Sequence, residues 1–203
     1  MKSRSWIAAC AAFIAMLTMT SGYAQQAQSV RVRGTIESVN GSSLAIKQGD
    51  GSDVTVNLAD NAQVFGVAPA KLADVKVGDF IGVGAMPQPD GGQKAIQVMI
   101  FAESQRGLGE GFRPWDRPGS TMTNGTVDST VTGVDGQVLT VKYKDGTQKI
   151  IVGSDATIRA YVVGNRSELV TGAHIAIARA DKLPDGTLQT ARINVGREGV
   201  VPQ

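Results

Sequence analysis

A unit of about 70 residues occurs twice in this chain, and the second occurrence repeats the turns and apolar positions of the first in the same order. Gly125-Thr126-Val127-Asp128-Ser129 restates Gly34-Thr35-Ile36-Glu37-Ser38, and Leu139 and Val141 stand for Leu44 and Ile46. Asp145-Gly146 matches Asp50-Gly51, Asp155 matches Asp60, and Gly172 matches Gly78. Asp185-Gly186 matches Asp90-Gly91, and Ile193 and Val195 match Val98 and Ile100. The offset holds near 95 residues, with the first loop four residues longer in the second copy. Agreement at turns and apolar faces together points to duplication of one module.

Within the unit the apolar period is 2. Val30, Val32 and Ile36 alternate with Arg31, Arg33, Thr35 and Glu37, the pattern of a half-buried strand, with Gly34 a bulge or a point of close approach. Asn40-Gly41 signals a hairpin. Leu44 and Ile46, then Val54, Val56 and Leu58, continue the alternation across the tight turn Gly49-Asp50-Gly51-Ser52. After Asp60 the pattern stops, and Pro69 to Asp74 suits one or two helical turns with Pro near the start. Phe80 to Val83 reads as a buried strand, and Ile96, Val98 and Ile100 face one way in the last. Three strands, a short helix and two strands is the order of an OB-like five-stranded Greek-key barrel, whose closure removes sheet edges. The expected fold is therefore all-β. It consists of two OB-like barrels over 25–102 and 123–198, each with one short helix between strands 3 and 4, and a tail over 199–203. A pair of SH3-like or open β-meander units is the alternative.

Residues 103–122 break the pattern. ESQRGLGEGFRPWDRPGSTM has neither period and is dense in Gly, Pro and Arg, so it reads as a connector. Gly107-Leu108-Gly109-Glu110-Gly111 superficially suggests a phosphate loop but lacks the Lys-Ser/Thr pair and a following helix. A plain linker has no use for exposed aromatics, so Phe112, Arg113, Trp115 and Arg117 are the candidate partner-binding or inter-domain packing residues. In the packing reading, Phe112 and Trp115 fill a groove between modules while Arg113 and Arg117 pair carboxylates such as Asp116. In the docking reading the same segment anchors a partner.

The first residues read as an address. Lys2 and Arg4 precede an apolar run from Trp6 to Leu17, and Gly22-Tyr23-Ala24 places small residues for cleavage after Ala24. The run is too short for a membrane helix. Export to the periplasm is the expectation, with 1–24 a signal peptide; the lipoprotein-like Ile7-Ala8-Ala9-Cys10 falls too early in the run to compete. Cys10 is the single cysteine and leaves with the leader, so disulfides and thiolate chemistry are excluded beyond it. Without Lys2 and Arg4, 18 basic residues face 18 acidic ones. A neutral body lacks the footprint of nucleic-acid binding.

His174 is the lone histidine, set in the strand-like Ala173-His174-Ile175-Ala176-Ile177, and one imidazole builds neither a zinc or copper site nor a triad. Asp50 with Asp53, or Asp181 with Asp185, could in principle hold a hard cation, but Asp in Gly-containing turns serves turn geometry first. No catalytic residue, metal or cofactor is assigned. The reading is a non-enzymatic binding or accessory module of the envelope, with an envelope protein or small ligand as partner. A metal-associated accessory protein of a transport system is one alternative, and an oligonucleotide-binding OB protein another.

The segments FAESQRGLGEGFRPWDRPGSTMTN and PQPDGGQKAIQVMIF, within the repeated frame, are similar to those of small secreted alphaproteobacterial proteins with two OB-like repeats of a domain-of-unknown-function family. The resemblance covers nearly all the chain after the leader and implies the location and the fold. Such proteins are often filed as metal ABC transporter permeases, a label at odds with these residues. A permease needs several membrane-spanning helices.

Overall fold

The alternating segments form strands. The computed structural model describes residues 28–133 and 136–202, so the expected leader lies outside the described residues. The strands are β1 (Ser29–Asn40), β2 (Ser43–Gln48), β3 (Asp53–Pro69), β4 (Phe80–Pro87), β5 (Gln93–Ile100) and β6 (Gly111–Pro114). They continue with β7 (Thr121–Gly133), β8 (Gly136–Tyr143), β9 (Gly146–Val152), β10 (Thr157–Val163), β11 (His174–Lys182) and β12 (Leu188–Gly196). The fold is all-β. The short helices expected between strands are instead single 3₁₀ turns at Leu72–Asp74 and Arg166–Glu168. Three residues between extended neighbours do not nucleate an α-helix. Each turn is instead closed by a carboxylate, Asp74 accepting from the Lys71 N–H at 2.7 Å and Glu168 from the Asn165 N–H at 3.0 Å.

Strand pairing closes a ring in the order β1-β2-β3-β12-β11 and back to β1, with β3 and β12 parallel and the other neighbours antiparallel. Val32, Ile36, Leu44, Ile46, Val56, Ile175, Ile177 and Ile193 fill it, and Leu169, just after its 3₁₀ turn, plugs one end. A second ring runs β7-β8-β9-β5-β4 and back to β7, closed more thinly where Gln93 and Lys94 of β5 pair with Ile150 and Ile151 of β9. Its core is Ile81, Val83, Val98, Leu139, Val141 and Ile150, plugged by Val75.

The rings do not follow the expected boundaries. Neither 25–102 nor 123–198 forms a ring from its own strands. β4 and β5 of the first unit complete the ring of β7–β9, and β11 and β12 of the second complete the ring of β1–β3. The second ring is thus one continuous stretch, β4 to β9, inserted between β3 and β11, and the 103–122 segment is an internal loop of it that joins β5 to β7. The exchange is reciprocal at the two crossings. The Gly78 N–H donates to the Val127 carbonyl at 2.8 Å and the Val127 N–H to Asp79 at 2.9 Å. In the other ring the Gly172 N–H donates to Ile36 at 2.8 Å and the Ile36 N–H to Ala173 at 2.9 Å.

β10 joins the rings, pairing antiparallel with the far half of β3 and parallel with β5. The alternation rule stops β3 at Leu58 because Val64, Phe65, Gly66 and Val67 are buried in succession and show no period of 2. In β5, Val98 is in the core and Ile100 packs against it as expected, but Ala95 takes the place expected for Ile96, because the register shifts opposite Gly84 and Ala85 and leaves Ile96 as the extra residue. Gly34 is a point of close approach, as a Cβ there would meet the Lys47 carbonyl oxygen at 2.1 Å. Of the expected tail, residues 199–202 turn back: the Val200 N–H reaches the Arg197 carbonyl at 2.9 Å, and Arg159 bonds the Val201 carbonyl at 3.1 Å.

Because each ring draws on both sides of the 103–122 loop, a cut in that loop is expected to leave the molecule whole. With a protease site engineered between Gly107 and Glu110, the cleaved protein should elute as one species of intact size and separate only in denaturant. Fragments that part under native conditions would show that the strands are not exchanged.

Candidate functional site: the groove between the rings

The site begins with two glycines. In β4, Phe80 to Ala85 are all buried; Ile81, Val83 and Ala85 face the core, which leaves Gly82 and Gly84 facing outward. Other groups lie on this bare trough. The Trp115 ring covers Gly84, while Phe101 and the Asn124 amide cover Gly82. Trp115 is placed by a tight turn in which its N–H donates to the Ser120 carbonyl at 3.0 Å. Ser120 in turn donates through its hydroxyl to the Arg117 carbonyl at 2.6 Å. The preceding residues form β6, which pairs with Thr121–Asn124 at the start of β7, so the loop is anchored in the sheet.

From that turn Asp116 reaches the other ring. Its two carboxylate oxygens accept from Arg31 at 3.1 Å and Arg33 at 3.2 Å, both on β1. These replace the partners expected for it, Arg113 and Arg117. Arg113 instead donates to the Gly109 carbonyl at 2.7 Å. Of the four candidate residues, Arg113 and half-buried Trp115 line the groove. Phe112 is 43% exposed on the hairpin, and Arg117 is exposed in the turn.

The aromatic contacts between the rings are made by residues other than Phe112 and Trp115. Phe80 meets Phe101 edge-on at 5.3 Å, Phe101 meets Tyr161 at 5.3 Å, and Tyr161 meets Phe65 at 6.4 Å. This chain of rings crosses from β4 through β10 to β3 and is the apolar seam between the two cores. Phe65, Phe80 and Phe101 stand outside both core clusters, which are built of Val, Ile, Leu and Ala.

Beside the seam lie two adjoining cavities of about 160 and 190 Å³. They share Arg33, Arg113, Trp115, Asp116 and Met122; Asn124 and Tyr161 line the first, and Arg31 the second. Burial pushes the Tyr161 hydroxyl up from its ordinary value, with Arg192, Arg159 and Arg33 opposing, so it stands as a neutral phenol. Burial alone would also push the Asp116 carboxyl up. Hydrogen bonds and charge from Arg33 and Arg31 outweigh it and hold that carboxyl below its ordinary value.

A carboxylate with a lowered folded pKa stabilises the fold above its unfolded pKa of about 4 and loses that contribution as pH falls through the folded value. The pair is exposed, so the effect is at most about 1 kcal/mol. Asp116→Asn is therefore expected to cost up to about that much at pH 7 and less at about pH 3, below the unfolded value. Urea midpoints of both proteins at the two pH values test this; a difference that does not shrink in acid contradicts it.

The remaining polar candidates are engaged elsewhere. Asp50 accepts the Ser52 N–H at 2.9 Å and hydroxyl at 2.6 Å, and Asp185 accepts the Thr187 N–H at 2.9 Å and hydroxyl at 2.7 Å. These are the turn-closing roles that Gly-containing turns imply. Asp53 pairs with Lys47 and Asp181 with Arg179. His174 is exposed on β11, its Nδ1 sharing a hydrogen bond with the Thr35 hydroxyl at 3.0 Å. Among the described residues no three metal-ligating side chains gather, and no helix is long and apolar enough to cross a membrane. No family model, curated protein or solved structure matches this chain.

Proposed function

We propose that this chain is an exported, non-enzymatic binding or accessory module of the cell envelope, and that its ligand sits in the groove between the rings. The observation that carries this reading is a concentration of binding chemistry at one place. Three guanidiniums (Arg31, Arg33, Arg113) and Trp115 converge on the seam, in a chain whose charges otherwise balance. Arg and Trp are the side chains that most often anchor ligands and partners.

The meander of three strands followed by a parallel closure supports an OB-like reading of each ring, and OB barrels are used for binding rather than for one chemistry. Paired turns, bulges and crossings in the two units support their origin by duplication, and with it the likeness to secreted two-repeat proteins. The positive start, apolar run and Gly22-Tyr23-Ala24 support export to the periplasm. The non-enzymatic reading is supported by the single imidazole being exposed and bonded to Thr35, away from the groove.

Two measurements test the proposal. Cell fractionation should place the protein in the periplasm, beginning at Gln25; a cytoplasmic protein that retains 1–24 ends the envelope reading. Affinity capture from envelope extract should retain a ligand or partner on the protein and lose it on an Arg33→Ala, Arg113→Ala double variant. Equal retention on both puts binding somewhere other than the groove.

A further inference from the structure

We infer that the groove takes a small carboxylate ligand whose acid group is flanked by a hydrogen-bond donor, an inference that rests on the binding reading above. The charge selects an anion. Arg31, Arg33 and Arg113 line the two cavities against a single acid, Asp116. Arg31 and Arg33 are engaged by a carboxylate of the chain itself, each on a different oxygen of Asp116, which leaves Arg113 as the guanidinium for the acid group of a ligand. Arg113 spends one nitrogen on the Gly109 carbonyl and keeps the rest of its fork beside the cavities.

The donor requirement comes from Asn124. This side chain is only 5% exposed, and it lines the first cavity. Its Nδ2 donates to the Leu108 carbonyl at 2.9 Å, which sets the orientation of the amide. Its Oδ1 then lies over Gly82, buried and without a hydrogen-bond partner among the described residues. A buried acceptor left unmet is costly, so a ligand that brings an O–H or N–H gains more than one that does not. Trp115 and Met122 offer an apolar face for the carbon skeleton between the two polar ends. The two cavities together sit at the small end of ligand pockets, which excludes a bulky ligand. Two sources share this chemistry: a sugar acid, whose donor is a hydroxyl, and an acylated amino acid, whose donor is the amide N–H.

Trp115 is the only tryptophan apart from Trp6, so its fluorescence reports on the groove alone in a full chain carrying Trp6→Phe. The titrants are glucuronate and N-acetylalanine, with acetate, glucose and inorganic phosphate as comparisons. At least one of the first two is expected to change the emission saturably and to bind about tenfold tighter than acetate, which leaves Asn124 Oδ1 unmet. Glucose, without the acid, should bind weakly, and Arg113→Gln should abolish the preference for acids. Asn124→Leu should bring the preferred ligand down to the affinity of acetate; should that variant not fold, Arg113→Gln carries the test. Which titrant binds identifies the source. No saturable response to either, or an equal response to acetate or phosphate, overturns the inference. That failure stays distinct from failure of the groove as the binding site, which follows if the groove variants leave envelope capture unchanged.

Discussion

Ile175→Ala is expected to cost about 2–5 kcal/mol and to unprotect the amides of β1, β2 and the near half of β3, while β7, β8 and β9 keep their protection. Ile175 is 1% exposed and packs among Val32, Ile36, Leu44 and Ile46. Removing three carbons leaves a cavity that the fully paired ring around it cannot collapse to fill. In the chain, Ile175 belongs to the second unit, so a protein of two self-contained units would instead lose protection over β7–β9. Ile81→Ala in β4 is the mirror experiment, since Ile81 packs with Val127, Leu139 and Ile150. It should unprotect β7–β9 and leave β1–β3 intact. Native-state hydrogen exchange on both variants decides the matter, and the opposite pattern in either would refute the exchanged rings.

Gly84→Val is expected to lower stability by about 1–3 kcal/mol and to shift Trp115 emission to the red. A Cβ at Gly84 would stand 2.3 Å from Cζ3 of Trp115, far inside van der Waals contact. β4 cannot retreat, because β5 and β7 pair with it on both sides and its other face is core. The indole must therefore lift into solvent. Asp116, the next residue, would be pulled from Arg31 and Arg33, loosening the tie between the rings. Trp115→Ala in the Gly84→Val background should restore most of the lost stability, a coupling confined to residues in contact. If the two substitutions simply add, the indole does not rest on that glycine.

Of the groove's lining, two residues of one segment were legible but not their partners. Trp115 and Arg113 stood out because a Gly- and Pro-rich loop has no local reason to contain them, and both do line the groove. Phe112 stood out for the same reason and yet is exposed. Asp116 illustrates the limit. Its neighbours in the chain, Arg113 and Arg117, were the natural partners, whereas the actual ones are Arg31 and Arg33, 85 and 83 residues away. Asn124 carried no signal at all, since an Asn in a strand is distinguished only by what surrounds it.

The sequence alone determined which residues turn and which face inward. Turn geometry is set by Gly and Asp at fixed local offsets, and a period of 2 marks one side of a strand wherever that strand lies. Hence the all-β class, the Asp50 and Asp185 turns and most core positions followed from it. Tertiary structure decided which strands share a ring, that the aromatic loop belongs inside one of them, and that a groove with three guanidiniums opens at their junction. The physical reason is that the edge of β3 offers the same backbone groups to either unit's last strand, so alternation cannot name its partner. That choice rests on packing across the whole molecule, at Val75, Leu169 and the Phe65–Tyr161–Phe101–Phe80 seam.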